Sequence, residues 1–160
     1  MSVENDTRPY SVTMPTRWSD FDQYGHVNNT KYLDYAQDAR FRWGLEELGG
    51  QQFPMSVVRT MSVDFLRPLR PDTTHVIVDT EIIRLGRTSY TLNQTIRDQR
   101  GDIAAEVKTV MVVVDSATQR PSELTAANRK MLAPYVIDEL IEVAEGDDNT
   151  GENGSTGGSD

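Results

Sequence analysis

The stretch Thr30-Lys31-Tyr32-Leu33-Asp34-Tyr35-Ala36-Gln37-Asp38-Ala39-Arg40-Phe41-Arg42-Trp43-Gly44-Leu45-Glu46-Glu47-Leu48 fixes the centre of the fold. Tyr32, Ala36, Ala39 and Trp43 recur in it at spacings of four, three and four. Residues so spaced share one face of a helix, so a helix with a single apolar face is predicted over 30–48. Asn28 or Asn29 can cap its start through a side-chain oxygen, and Gly49-Gly50 ends it. Gly44 is a weak spot near the last turns.

On either side the period changes to two. Upstream, Tyr10 to Trp18 is rich in Thr, Val and aromatics and predicts a strand, with Pro15 suited to an edge or a bulge. Downstream, Met55, Val57, Met61, Val63 and Phe65 alternate in a strand stopped by Pro68 and Pro71. A second strand runs from Val76 to Arg84, Leu85-Gly86-Arg87 turns, and a third runs from Thr88 to Arg97. Asp98-Gln99-Arg100-Gly101-Asp102 reads as a hairpin turn into a long strand from Ile103 to Val114. The run Val110-Met111-Val112-Val113-Val114 predicts that this last strand is central and covered on both faces. Ser122 to Leu140 predicts a second helix, capped by Ser122 and kinked or divided at Pro134.

Strand, long helix, then four strands imply an α+β domain, an antiparallel sheet wrapped around one helix. One sheet leaves edge strands to protect, so a homodimer at least is expected. Residues 1–9 read as a flexible leader, 10–142 as the domain with its helical extension, and 143–160 as a disordered acidic, Gly-rich tail.

The 160 residues suit one domain with a core. The formal charge of −9 opposes general nucleic-acid binding. Five acids fall after residue 144, however, which leaves the rest at −4 and leaves room for a local basic patch. Cysteine is absent, which removes disulfides, thiolate nucleophiles and cysteine metal sites and fits a cytoplasmic location. No apolar run is long enough for a membrane span, and the acidic N-terminus is not a signal peptide. Two histidines 49 residues apart give no recognisable metal-ligand spacing, so no metal is expected. There is no Gly-x-Ser-x-Gly elbow, P-loop or dinucleotide fingerprint.

Chemistry concentrates in Asp20-Phe21-Asp22-Gln23-Tyr24-Gly25-His26-Val27-Asn28-Asn29, just ahead of the helix. A helix start offers unpaired N–H groups and the positive end of its dipole, which can hold an oxyanion or polarise a carbonyl. Gly25 permits close backbone approach, a carboxylate there can act as nucleophile or base, and His26 can contact substrate, carboxylate or water. Asp-x-Asp before a helix is equally ordinary turn and capping chemistry. The same alternative holds for Asn28 and Asn29, one as cap and one as loop tie. His75 reads as surface. Trp18, Tyr32, Tyr35, Phe41 and Trp43 line an acyl pocket or, by default, the core, and Met55, Met61 and Met111 read as core.

The segment from Arg17 through Asp22 and Gly25-His26-Val27-Asn28-Asn29 to Leu33 resembles the signature of hotdog-fold acyl-CoA thioesterases of the 4-hydroxybenzoyl-CoA thioesterase type. Asp64-Phe65-Leu66-Arg67-Pro68-Leu69-Arg70 and Arg84-Leu85-Gly86-Arg87-Thr88-Ser89 resemble the same family, and the likeness covers about residues 10 to 122. The resemblance implies a curved antiparallel sheet around a long central helix, with active sites between two subunits and dimers that often pair into tetramers. It further implies an acyl-CoA substrate, with an acyl carrier protein as the other thioester carrier, and no separate cofactor. It places the catalytic carboxylate on Asp22, with His26 beside it and the backbone N–H near Gly25 or His26 polarising the carbonyl.

Tyr24 stands where the plant acyl-carrier-protein thioesterases carry a functional asparagine, and Gln37 where many relatives carry a glutamate, so the resemblance puts more of the work on Asp22. Among the basic residues it points to Arg67 and to the Arg87-Thr88-Ser89 segment as coenzyme contacts. Arginine matches phosphate geometry, which makes Arg59, Arg70 and Arg84 candidates too, against the plain reading that they solubilise strand ends. Two rival functions share this fold: a hydratase or dehydratase of an enoyl thioester, and an acyl-thioester binding module without catalysis.

Overall fold

The computed structural model describes residues 7–137. Five antiparallel strands form one sheet in the order β1-β3-β4-β5-β2, with β1 Tyr10–Pro15, β2 Ser56–Phe65, β3 His75–Leu85, β4 Ser89–Arg97 and β5 Ile103–Val113. The helix α1, Asn29–Glu46, is 18 residues long and packs on β1, β3, β4 and β5. Its expected face is the one that is buried: Tyr32, Ala36, Ala39 and Trp43, joined by Tyr35. Full burial of a large apolar side chain contributes about 1.5–3 kcal/mol, so this face and the alternating inward residues of β3 and β4 hold the layers together. The leader, the last part of the proposed domain and the acidic tail (1–6 and 138–160) lie outside the described residues. No helix among the described residues is long and apolar enough to cross a membrane.

Gln94 of β4 is fully buried between the layers, and its amide is satisfied from three sides. It donates to Ala36 O at 2.9 Å and Thr80 Oγ1 at 3.1 Å, and accepts from Arg40 Nη1 at 3.3 Å. Burial pulls the Arg40 guanidinium below its usual range.

Several expectations need correction. The first strand ends at Pro15, because Trp18–Asp20 closes into a 3-10 turn, and Trp18 itself is 90% exposed. The central strand is β4, whereas β5 has β2 beyond it at the edge and Val110, Met111 and Val112 are only half-buried. Alternation in β2 breaks at a bulge between Val58 and Thr60. Met61 and Val63 reach the core, while Met55, Val57 and Phe65 stay exposed, as does Phe41 on α1. The second helix, α2, is only Ala126–Leu132, and Thr125 rather than Ser122 caps it, in a reciprocal capping box with Asn128. Pro134 falls in the 3-10 turn Ala133–Tyr135 that follows, so it divides the segment as expected.

Candidate active site

The loop between the 3-10 turn and α1 is built around two aspartates with opposite fates. Asp20 is fully buried. Its Oδ2 accepts from Tyr35 Oη at 2.7 Å and from Arg17 N at 2.9 Å, while Oδ1 faces Arg17 Nε at 3.5 Å. Its carbonyl accepts from Asn28 N at 2.8 Å, which ties the loop's two ends together. Burial first, and the bond to Asp20 second, push the Tyr35 phenol far above its usual range, so Tyr35 stays a protonated donor.

Asp22 is exposed. Its Oδ1 accepts from Tyr24 N at 2.8 Å and His26 N at 3.2 Å, and its backbone N donates to His26 O at 2.8 Å. Oδ2 has no partner among the described residues. The carboxylate is therefore half committed to its own loop and half available to a ligand. It borders a cavity of about 360 Å³ together with His26, Val27, Asn29, Tyr32, Phe65, Leu66, Arg67 and Pro68. The polar members cluster at the start of α1, and Tyr32, Phe65 and Leu66 supply an apolar wall, with the Tyr32 and Phe65 rings edge to face at 5.2 Å. The Tyr32 hydroxyl accepts from Leu69 N at 2.9 Å, which anchors the 66–71 segment under the loop.

The structure brings together Asp22, His26 and Arg67, as the sequence led us to expect, and it revises three other roles. Gly25 is required for its positive φ of 76° and because a Cβ would lie 2.9 Å from Pro71 Cγ, so Pro71 rather than a ligand fills the space it leaves. The N–H groups expected to polarise a carbonyl are committed: Gly25 N donates to Asp22 O at 3.0 Å, and His26 N to Asp22 Oδ1. The N–H of Asn29, the first residue of α1, has no acceptor among the described residues, and Asn29 lines the cavity. Asn28 caps α1, accepting from Thr30 N and Thr30 Oγ1 at 3.1 Å each. Asn29 does not tie the loop but lines the cavity, and its side chain has no hydrogen-bond partner among the described residues. Sequence reasoning undervalued Asn29 and Leu66; the first was detectable, since only one of two adjacent asparagines can be the cap.

Arg87 and Thr88, in the turn between β3 and β4, and Ser89, the first residue of β4, do not line this cavity. Arg87 Nη1 is bound to Glu123 Oε1 at 2.8 Å, and the turn is pinned by Leu124 N to Arg87 O and by Arg129 Nη2 to Gly86 O, each 2.9 Å. Gln37 is exposed on α1 and does not reach the cavity.

The family model of the thioesterase-like superfamily matches residues 16–134. The long-chain acyl-CoA thioesterase FadM of Escherichia coli strain K12 is 27% identical over 121 residues, which is 72% of this chain and 90% of FadM. A thioesterase from Thermus thermophilus, solved in complex with coenzyme A and zinc, is 31% identical with a TM-score of 0.68, over 79% of this chain and 94% of its own. A predicted thioesterase from Bacillus stearothermophilus is 27% identical with a TM-score of 0.70, over 80% and 96% of the two chains.

Proposed function

Because the chain belongs to the thioesterase-like superfamily and is a thioester hydrolase, we propose that it cleaves acyl-CoA to the free acid and coenzyme A, with Asp22 as the catalytic carboxylate. The observation that carries this is the free Oδ2 of Asp22 at a cavity that also meets the start of α1. The thioester carbonyl carbon lies opposite Oδ2, and its oxygen takes the N–H of Asn29, where the helix dipole favours negative charge.

Oδ2 either attacks the carbon, forming a mixed anhydride that water then hydrolyses, or takes a proton from the water that attacks. In both routes the C–S bond breaks and its electron pair leaves on the coenzyme A thiolate, which needs little acid assistance. Oδ1 stays bonded to Tyr24 and His26, so the carboxylate keeps its orientation throughout. His26 contacts the substrate from the same rim. Gly25 acts through the loop geometry that its positive φ permits.

The coenzyme contacts we propose are Arg67, at the rim beside Asp22, and the Arg87-Thr88-Ser89 turn. Arg87 and Glu123 form an exposed pair, and such pairs contribute at most about 1 kcal/mol, so a phosphate can displace Glu123 at little cost. The oligomer we propose is a homodimer, or a tetramer of dimers, joined at the edge strand β2. Its outer backbone groups are unpaired within the sheet, and Val57, Val58, Phe65 and Leu66 are exposed along it. Free thiol released from a panel of saturated short, long and aromatic acyl-CoAs tests the function. Hydration of an enoyl-CoA with no thiol released from a saturated one would favour the hydratase, and inertness across the panel would favour a binding module.

A further inference from the structure

With the Asn29 N–H as its one donor, the oxyanion that forms during hydrolysis has room for another hydrogen bond. Tyr32 stands three residues after Asn29 on α1, close to one turn on and about 4.5 Å along the axis. Long side chains on a helix slant toward its N-terminus, which carries the Tyr32 ring back over the first turn. Tyr32 lines the same cavity as Asp22, His26 and Asn29, yet is only 2% exposed.

The hydroxyl of Tyr32 is half used. Its oxygen accepts from Leu69 N at 2.9 Å, and its hydrogen has no acceptor among the described residues. A phenol oxygen accepts and donates at once, so the bond from Leu69 N leaves the hydrogen free to turn elsewhere. Leu69 also fixes where that oxygen sits. Leu69 O accepts from Val27 N at 3.0 Å, and both Val27 and Pro68, the neighbour of Leu69, line the cavity. The edge-to-face contact with Phe65 holds the ring.

Other phenols of the chain are spent differently. Tyr10 donates to Glu46, Tyr35 to Asp20 and Tyr135 to Glu47, so each gives its hydrogen to a carboxylate. A buried hydroxyl hydrogen without an acceptor is a cost to folding, and at a cavity wall a ligand atom can supply the acceptor.

We propose that Tyr32 is a second catalytic donor, its hydroxyl hydrogen-bonding the thioester carbonyl oxygen beside the Asn29 N–H. This rests on the hydrolase reading above. As Asp22 Oδ2 or a water attacks the carbonyl carbon, the π electron pair moves onto the oxygen, where the two donors hold it. The pair returns as the C–S bond breaks and the thiolate leaves. The bond from Tyr32 is stronger to the charged oxygen than to the neutral carbonyl, so it lowers the barrier. Burial raises the Tyr32 phenol above its usual range, against an opposing pull from the Leu69 N–H, so Tyr32 donates a hydrogen bond and keeps its proton.

Thiol release and the infrared carbonyl stretch of a bound, uncleavable analogue test this together. The analogue is a coenzyme A thioether with a ketone one methylene from sulfur, isotope-labelled at the carbonyl. In Tyr32→Phe the bound stretch rises above its wild-type position. The kcat falls ~100-fold, the usual loss for one oxyanion donor, while KM moves less than about threefold. Tyr10→Phe also removes a hydrogen-bonded phenol hydroxyl, at the opposite end of α1, and leaves kcat within about twofold and the stretch unmoved. Tyr32→Phe strands the Leu69 N–H as well, so urea melts confirm that the assayed variants are folded. A Tyr32 that only anchors Leu69 lowers stability and leaves the bound stretch where it was. Fluorotyrosine incorporated at position 32 keeps the oxygen for Leu69 and strengthens the donor, so the stretch falls further. A stretch that moves in neither variant, or a kcat for folded Tyr32→Phe within about twofold of the wild type, overturns the proposal. A protein with the Tyr32-dependent stretch that releases no thiol keeps the carbonyl contact and loses the hydrolase. One that releases thiol as fast without the hydroxyl keeps the hydrolase and loses the donor.

Discussion

Asp20 and Asp22 stand two residues apart in one loop and are used in opposite ways. The loop's buried half, at Asp20, is closed: a carboxylate with no exposure, met by the Tyr35 phenol, the Arg17 backbone and the Arg17 guanidinium. The exposed half, at Asp22, is open, with one oxygen holding the loop and the other free at a cavity. Burial, not residue type, separates structure from chemistry here. Each carboxylate has one oxygen bonded twice, but Asp20 is sealed inside the protein, whereas the second oxygen of Asp22 stands at a cavity.

The comparison predicts that the two aspartates fail differently. Asp22→Asn keeps the stability, because the amide oxygen can still accept from Tyr24 and His26, yet turnover falls at least ~100-fold, about 2.7 kcal/mol of barrier. Steady-state thiol release with a parallel urea melt checks both halves, and an unchanged kcat would remove Asp22 from the mechanism. Asp20→Ala shows the reverse emphasis. It strands the buried Tyr35 hydroxyl and the Arg17 N–H, and costs about 2 kcal/mol of folding stability. If the urea midpoint does not move, the buried half is not the anchor described here.

Gly25 joins the two halves, and its substitution sharpens the contrast. Gly25→Ala places a Cβ at positive φ and against Pro71 Cγ, for a cost of about 1.5 kcal/mol. Adding Pro71→Ala relieves the contact but not the backbone strain, so the double variant recovers only part of the loss. Full recovery in denaturation experiments would mean that φ contributes nothing.

Much of this was legible in the sequence because it is periodic. The buried face of α1, four of the strands to within a residue or so and the Asp98–Asp102 turn follow from spacing and turn residues alone. What spacing does not carry is order across the sheet. Val110 to Val112 look like the central strand, yet β4 holds the centre of the sheet, and in β5, with β2 beyond it, these residues are only half-buried. Of the residues that line the cavity, Asp22 and His26 are legible in one polar segment, whereas Arg67 comes from beyond β2 and is pointed to only by the resemblance. The commitment of the Gly25 and His26 N–H groups was not legible, because it depends on where the Asp22 carbonyl and the Asp22 side chain turn.

The smallest expected effect comes from the adjacent asparagines, and it tests the same division between anchoring and chemistry. Asn28→Ala removes the cap that accepts from Thr30 N and costs about 1 kcal/mol of stability. Asn29→Ala leaves that cap in place and removes only a side chain at the rim of the cavity, so the urea midpoint holds while KM for acyl-CoA rises. A substitution keeps the backbone N–H of Asn29, which by our mechanism polarises the carbonyl, so kcat should stay near that of the wild type. A collapse of kcat in Asn29→Ala at unchanged stability would move the polarising donor from the backbone to the side-chain amide.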